Sequence, residues 1–178
     1  MISPPTQFHT PRLLLRTPVV EDATTIFAEY ATDAEVSRYM TWTPHKSIET
    51  VRQFVEGVVE RIRTGEEHSW ILATPNNDTL LGMISTRIRG HKADLGYVLA
   101  REHWNQGYMT EAIAVVTQWL LAQPEIFRVW AVCDAENPGS ARALEKANFE
   151  REGILRRWLM HPTISTEPRD CYIFGRVR

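Results

Sequence analysis

The chain has 178 residues, of which 43% are hydrophobic, so it is long enough for one compact domain with a sizeable core. Its 20 lysines and arginines nearly balance 22 aspartates and glutamates, and the formal net charge of -2 gives no basis for nonspecific nucleic-acid or membrane binding. The cysteines Cys133 and Cys171 have no metal-ligand spacing. We therefore expect reduced cysteines and no metal site.

The N-terminal segment MISPPTQFHTPR lacks the basic and apolar regions of a signal peptide. No apolar run reaches the roughly 18 residues that span a bilayer. No repeat, low-complexity tract or long linker divides the chain. We expect a cytoplasmic protein with a single domain over residues 1–178.

The first third of the chain predicts one strand and two helices. The apolar run Leu13–Leu15 is typical of a strand. Glu21 and Asp22 then open an amphipathic helix, in which the apolar residues keep helical spacing. An aromatic linker over residues 35–46 precedes a second amphipathic helix, for which Ser47 is the expected N-cap.

From residue 69 onward the pattern predicts mostly strands. Segments 69–74, 80–88 and 94–99 are separated by short turns and indicate an antiparallel meander. A glycine-containing loop, a helix from about Gly107 to Leu121 and the strand VWAVCD follow, which indicates a parallel crossover. A last helix has Asn137 as N-cap and ends near Asn148 in a left-handed turn, and two final strands follow.

These elements predict an α+β fold in a single domain. Its mixed sheet is mostly antiparallel, with a central parallel β-α-β crossover and flanking helices. A ligand in such a sheet is expected at the carboxyl ends of the parallel strands.

The loop HWNQGYMTEA lies at that position. Several N–H groups between Asn105 and Thr110 precede or begin the helix and have no helical partner, and Gly107 permits close approach of a ligand. Such a helix start binds phosphate, although a plain capped turn explains the same residues. Neither GxxxxGK[ST] nor GxGxxG occurs, so any phosphate is held mainly by main-chain groups.

The segment GYVLAREHWNQGYMTEA resembles the acyl-coenzyme A motif of the GCN5-related N-acetyltransferase (GNAT) superfamily, Gln/Arg-x-x-Gly-x-Gly/Ala, and is most similar to its RimJ/RimL-like branch. TPRLLLRTPVVEDA, ENPGSARALEKANFEREG and RDCYIFG agree in the expected order, so the resemblance spans almost the whole chain. Trp104, Asn105 and Met109 depart from the usual residues. Met109 either faces the core, as its spacing with Ala112 and Ile113 predicts, or points at the pyrophosphate and impairs binding.

The resemblance implies a GNAT-like fold and direct transfer of an acetyl group from acetyl-CoA to a primary amine in a ternary complex, with no metal. The acceptor that the resemblance implies is a protein N-terminus or a small amine. The coenzyme-binding residues that it implies are Tyr97, Val98, Leu99, Trp104, Asn105, Gln106, Gly107, Tyr108, Met109, Thr110, Asn137 and Ser140.

Catalysis of this kind needs a proton acceptor, donors for the oxyanion and a donor for the leaving thiolate. Main-chain N–H groups of residues 96–99 are candidates for the oxyanion. Ser140 is the candidate donor to the thiolate, although capping chemistry alone also explains Asn137 and Ser140. Asp94 is the first candidate for the general base, and Glu35 and His68 are alternatives.

The family resemblance places the acceptor pocket beside the linker, with Glu35, Tyr39 and Trp42 as candidate substrate-binding residues. Core packing is the alternative for its aromatic side chains. The segment Arg156–Trp158 mixes charge with aromatic area, and we interpret it as a solvated strand face rather than a nucleic-acid contact. A noncatalytic acyl-CoA sensor and an interaction domain with an empty cleft are the competing functions, and the protein is expected to be a monomer or a homodimer.

Overall fold

The computed structural model describes residues 2–178 as one mixed sheet flanked by helices. The strands are β1 (Gln7–His9), β2 (Leu14–Arg16), β3 (His68–Ala73), β4 (Leu80–Arg89), β5 (Lys92–Leu99), β6 (Arg128–Asp134), β7 (Glu150–Leu159) and β8 (Arg169–Val177). The helices are α1 (Asp22–Ile26), which continues as a π-helical turn over Phe27–Ala31, α2 (Ala34–Ser37), α3 (Ile48–Thr64), α4 (Tyr108–Ala122) and α5 (Pro138–Lys146).

The sheet has eight strands in the order β1-β2-β3-β4-β5-β6-β8-β7. Neighbours are antiparallel except for β5 and β6, which run parallel and are joined through α4. The predicted α+β fold with its central parallel crossover is confirmed. Within residues 2–178 no helix is long and apolar enough to cross a membrane.

The two faces of the sheet carry separate apolar clusters because side chains alternate along each strand. Trp70 and Leu72 of β3 belong to the cluster that packs α4 and α5 on one face, whereas Ile71 and Ala73 join the cluster around α1 and α3 on the other. The helices contribute buried residues at the predicted spacing: Val51, Val55 and Val58 of α3, and Met109, Ala112, Ile113, Val116 and Leu120 of α4. Each large apolar side chain among them contributes roughly 1.5–3 kcal/mol on burial.

Three local features differ from the sequence-based expectation. Residues 7–9 form β1, which the proline-rich segment did not indicate, and Phe8 packs there against Trp70. The first predicted strand is displaced by one residue to Leu14–Arg16. Residues 34–37, which overlap the start of the predicted linker, form the short helix α2, which Asp33 caps through its side chain. All three elements are too short to show hydrophobic periodicity.

The C-terminal strands end the sheet at β7, which is an edge strand. Its register with β8 shifts between Leu155 and Leu159, and Arg157 adopts a positive φ of 49° within that bulge. The side chains of residues 156–158 are exposed, in agreement with the interpretation of a solvated strand face.

Candidate active site

The parallel strands β5 and β6 pair over only three residues and then diverge. Their register joins residues 92–94 of β5 to residues 128–130 of β6, so the carboxyl ends of the two strands leave an opening between them. The Ala100 N–H donates to Leu81 O on the β4 side. Because main-chain groups alternate in direction along a strand, the N–H groups of Tyr97 and Leu99 face the opening.

A loop with free main-chain donors lies next to this opening. None of the N–H groups from Asn105 to Thr110 donates a hydrogen bond to another described residue. Asn105 has a φ of 61° and Gly107 a φ of 83°, the left-handed conformation that these two residue types adopt most readily. The N-terminus of α4 thus presents unpaired donors at the positive end of its dipole, which is an arrangement that binds anions.

Side chains of the loop fold back onto main-chain carbonyls rather than onto these donors. The Trp104 indole Nε1 donates to Leu99 O at 2.8 Å, and the Gln106 amide Nε2 donates to Glu102 O at 2.7 Å. Met109 is 7% exposed and belongs to the cluster between α4 and the sheet. The prediction that Met109 faces the core is confirmed, so its side chain does not obstruct the free amides.

A hydroxyl pair lies where the two strands diverge. The Ser140 Oγ and Tyr97 Oη are 2.7 Å apart, and the carboxamide of Asn137 accepts the Ser140 N–H at 3.1 Å as the predicted N-cap of α5. Burial raises the pKa of Tyr97 well above its ordinary value, so the phenol keeps its proton. Burial also raises the pKa of the nearby Cys133 thiol to about 11, so this thiol is neutral.

The structure does not bring Asp94 to this hydroxyl pair. Asp94 lies at the start of β5, about 16 Å along the strand from Leu99. Strand alternation directs its side chain to the face opposite Tyr97, where its carboxylate accepts a hydrogen bond from Arg87 Nε at 2.9 Å. Asp94 is 7% exposed and forms an ion pair with Arg87, so the structure places this candidate base apart from the hydroxyl pair.

The other two candidate bases also lie apart from the hydroxyl pair. His68 pairs with Thr86 in the β3–β4 ladder, and burial lowers its pKa. The Glu35 carboxylate is exposed on α2, 3.8 Å from the Arg38 guanidinium. Neither hydrogen-bonds to Tyr97 or Ser140.

The linker between α2 and α3 contacts the segment after β6 through Tyr39, one of the predicted substrate-binding residues. The Tyr39 hydroxyl donates to Glu136 O at 2.8 Å, directly before the N-cap of α5. Trp42 instead packs beside His45, with ring centroids 5.5 Å apart, and against the cluster around α1 and α3. Tyr39 thus contacts the segment between β6 and α5, whereas Trp42 is partly a packing residue.

A buried polar cluster holds the end of β6. The sequence did not indicate this cluster. Asp134 is 1% exposed, and its carboxylate accepts hydrogen bonds from Arg169 Nε at 2.6 Å and from the Glu136 N–H at 2.8 Å. His161 Nε2 lies 3.5 Å from Asp134 Oδ2, and His161 Nδ1 lies 3.2 Å from Met40 O. Burial would raise the pKa of Asp134, but the donors around it outweigh burial and lower that pKa.

This cluster connects the linker, the loop after β6 and the β7–β8 connection. Its members are distant in sequence, so no spacing could reveal them. Among residues 2–178 no group of three or more His, Cys, Asp and Glu side chains is arranged to hold a metal ion.

Comparison with known proteins shows the family of this chain. The family model described as an acetyltransferase (GNAT) domain matches residues 12–150. The uncharacterized N-acetyltransferase YoaA of Bacillus subtilis (strain 168) is 30% identical over 173 residues, covering 96% of each chain.

Two solved structures share the fold at lower identity. The microcin C7 self-immunity acetyltransferase MccE, in complex with acetyl-CoA and AMP, has a TM-score of 0.84 at 20% identity, covering 95% of this chain and 94% of its own. The ribosomal L7/L12 α-N-protein acetyltransferase RimL, in complex with coenzyme A, has a TM-score of 0.81 at 18% identity, covering 94% of this chain and 95% of its own. Because the family model matches well over half of the sequence, the chain belongs to the GNAT acetyltransferase family.

Proposed function

We propose that this GNAT protein is an N-acetyltransferase that transfers the acetyl group of acetyl-CoA to a primary amine by direct attack in a ternary complex. Two observations carry the proposal: the N–H groups of residues 105–110 make no hydrogen bond within the described chain, and the hydroxyls of Tyr97 and Ser140 pair beyond the point where β5 and β6 stop pairing. The free N–H groups offer donors to a diphosphate, and the hydroxyl pair offers a donor to a reacting thioester.

In this proposal the coenzyme diphosphate binds the free amides, and the N–H groups of Tyr97 and Leu99 stabilise the oxyanion. The amine nitrogen attacks the thioester carbonyl, the C–N bond forms and the C–S bond breaks. The departing thiolate accepts a hydrogen bond from the Ser140 hydroxyl, which Tyr97 orients at 2.7 Å. The thiolate takes up the proton that the nitrogen loses as the amide forms, so the products are the acetamide and free coenzyme A.

The attacking amine must first lose a proton, because an unperturbed alkylammonium titrates near pH ~10. Asp94 is held by Arg87 on the other face of the sheet. We therefore propose that water at the opening, rather than Asp94, carries this proton away. The pH–rate profile of Asp94→Asn is then expected to keep the shape of the wild-type profile.

Two classes of acceptor are compatible with this chemistry, a protein N-terminus and a small amine. The similarity in fold to RimL, named as an α-N-protein acetyltransferase, supports the first, and the similarity to MccE, whose complex contains AMP together with acetyl-CoA, supports a small-molecule acceptor. Tyr39, at the end of β6, is the candidate contact for either acceptor. We propose Glu35 and Trp42 as more peripheral acceptor residues on the same linker.

Two measurements test the proposal. Calorimetry with acetyl-CoA is expected to show binding, and a thiol-release assay over a panel of small amines and short peptides is expected to show acceptor-dependent turnover. Binding without turnover across the panel would favour a noncatalytic acyl-CoA sensor. Absence of binding at millimolar acetyl-CoA would refute both ligand-based functions.

A further inference from the structure

Arg12, in the segment between β1 and β2, contacts the loop that carries the free amides. Its guanidinium Nη1 donates to Gln106 O at 2.8 Å, and its Cζ lies 4.7 Å from the centroid of the Tyr108 ring. Both contacts are with loop residues on either side of Gly107. Arg12 therefore supports a turn whose own N–H groups make no hydrogen bond within the described chain.

The same guanidinium is paired with Glu111 in the first turn of α4. The Glu111 carboxylate accepts hydrogen bonds from Arg12 Nε at 2.8 Å and from the Arg12 N–H at 3.2 Å, and it lies 2.7 Å from Arg12 Nη2. Thr10 Oγ1 donates to the same carboxylate. Burial would raise the pKa of Glu111, but the donors from Thr10 and Arg12 outweigh burial and lower it, so Glu111 is charged at neutral pH.

A carboxylate at this place has two opposite effects. A negative charge in the first turn of α4 stabilises the helix through its dipole. The same charge lies within a turn of the free amides at residues 105–110 and repels a diphosphate bound there. A bidentate arginine removes that repulsion while the carboxylate keeps its structural contacts.

We propose that Arg12 is a positioning residue for coenzyme binding, which holds the main chain at Gln106 and neutralises Glu111 beside the anion-binding amides. This inference rests on the proposed function, because it takes the diphosphate of the coenzyme as the anion. Arg12 touches neither the hydroxyl pair nor the opening between β5 and β6, so it acts on affinity and leaves the chemical step alone.

The test compares Arg12→Ala, Glu111→Gln and the double variant by calorimetry with coenzyme A. Arg12→Ala is expected to raise Kd about tenfold, because the charge-assisted bidentate pair between Arg12 and Glu111 is lost and the Glu111 carboxylate is left unpaired beside the anion. Glu111→Gln alone is expected to change Kd less than about threefold. The double variant is expected to recover a large part of the lost affinity, since no unpaired carboxylate remains.

Two further variants control for folding and charge. Arg12→Lys keeps the positive charge without the planar fork, and its Kd is expected between those of wild type and Arg12→Ala. Arg63→Ala removes the guanidinium of an exposed ion pair with Glu60 on α3, and its Kd is expected to equal that of wild type. In steady-state assays Arg12→Ala is expected to raise KM for acetyl-CoA with kcat unchanged.

The outcomes separate this inference from the proposed function. If wild type binds coenzyme A and Arg12→Ala binds it equally well, the positioning role is refuted and the proposed function stands. If Arg12→Ala and the double variant are equally weak, neutralisation of Glu111 is refuted. If wild type itself fails to bind at millimolar coenzyme A, both proposals are refuted.

Discussion

Replacing Ser140 with alanine separates the capping of α5 from the proposed chemistry. The carboxamide of Asn137 accepts the main-chain N–H of Ser140, so the cap survives the substitution. The substitution removes the 2.7 Å hydrogen bond to the Tyr97 hydroxyl, and this loss lowers the free energy of unfolding by about 0.5–1.5 kcal/mol. A hydrogen bond to a charged group contributes roughly 1.5–3 kcal/mol, which at about 1.4 kcal/mol per factor of ten lowers kcat about 10- to 100-fold.

The assay is thiol release at saturating acetyl-CoA and acceptor, with the coenzyme Kd measured by calorimetry on the same preparation. Asn137→Ala is the matched comparison, because it removes the cap, costs about 1 kcal/mol of stability and leaves the Ser140 hydroxyl in place. Tyr97→Phe is expected to fall between wild type and Ser140→Ala in kcat, since the serine hydroxyl remains without its partner. A folded Ser140→Ala protein with the kcat of wild type would show that this hydroxyl does not assist the leaving thiolate.

Three further substitutions test the loop and the buried cluster. Gly107→Ala adds a Cβ to a residue whose φ is 83°, so we expect the free energy of unfolding to fall by about 1–2 kcal/mol in thermal unfolding and coenzyme binding to weaken. An unchanged Kd would contradict the role of the turn. Met109→Ala is expected to cost about 2–4 kcal/mol through a core cavity while Kd changes little, and a large change in Kd at full stability would place Met109 at the ligand instead. Asp134→Asn is expected to cost about 3 kcal/mol at pH 7 in urea unfolding. The pKa of Asp134 is lowered in the folded state, so its contribution to the free energy of unfolding is present above the unfolded pKa near ~4 and is lost as the pH falls through the folded pKa. The difference in stability between wild type and variant should therefore shrink in acid. A pH-independent difference would contradict this.

The sequence determined the long elements and the position of the loop HWNQGYMTEA because both depend on local patterns. The spacing of Met109, Ala112 and Ile113 predicts that one face of α4 lies in the core, and all three side chains are buried there. Asn137 with Pro138 defines the start of α5, and the left-handed Asn148 follows its end. These signals come from residues within one or two helical turns of each other.

The tertiary structure decided everything that depends on contacts between distant segments. In the sequence, Asp94 is a candidate base as a carboxylate at the start of the central strand. In the structure, the antiparallel neighbour β4 supplies Arg87 as its partner, and strand alternation directs the carboxylate to the face opposite Tyr97. The pair of Tyr97 with Ser140 joins residues 43 positions apart, which no spacing rule predicts.

The contacts of Arg12 with Glu111 and of Asp134 with Arg169 have the same origin. Each pair consists of charged residues, a type that is usually exposed, and the two partners meet only when the chain folds. The sequence by itself thus determined the α+β fold with its parallel crossover and the turn HWNQGYMTEA, since local hydrogen bonding and hydrophobic periodicity specify both. Only the folded chain decided which hydroxyls face the opening and which charges are neutralised, because burial and pairing depend on segments that meet through the sheet.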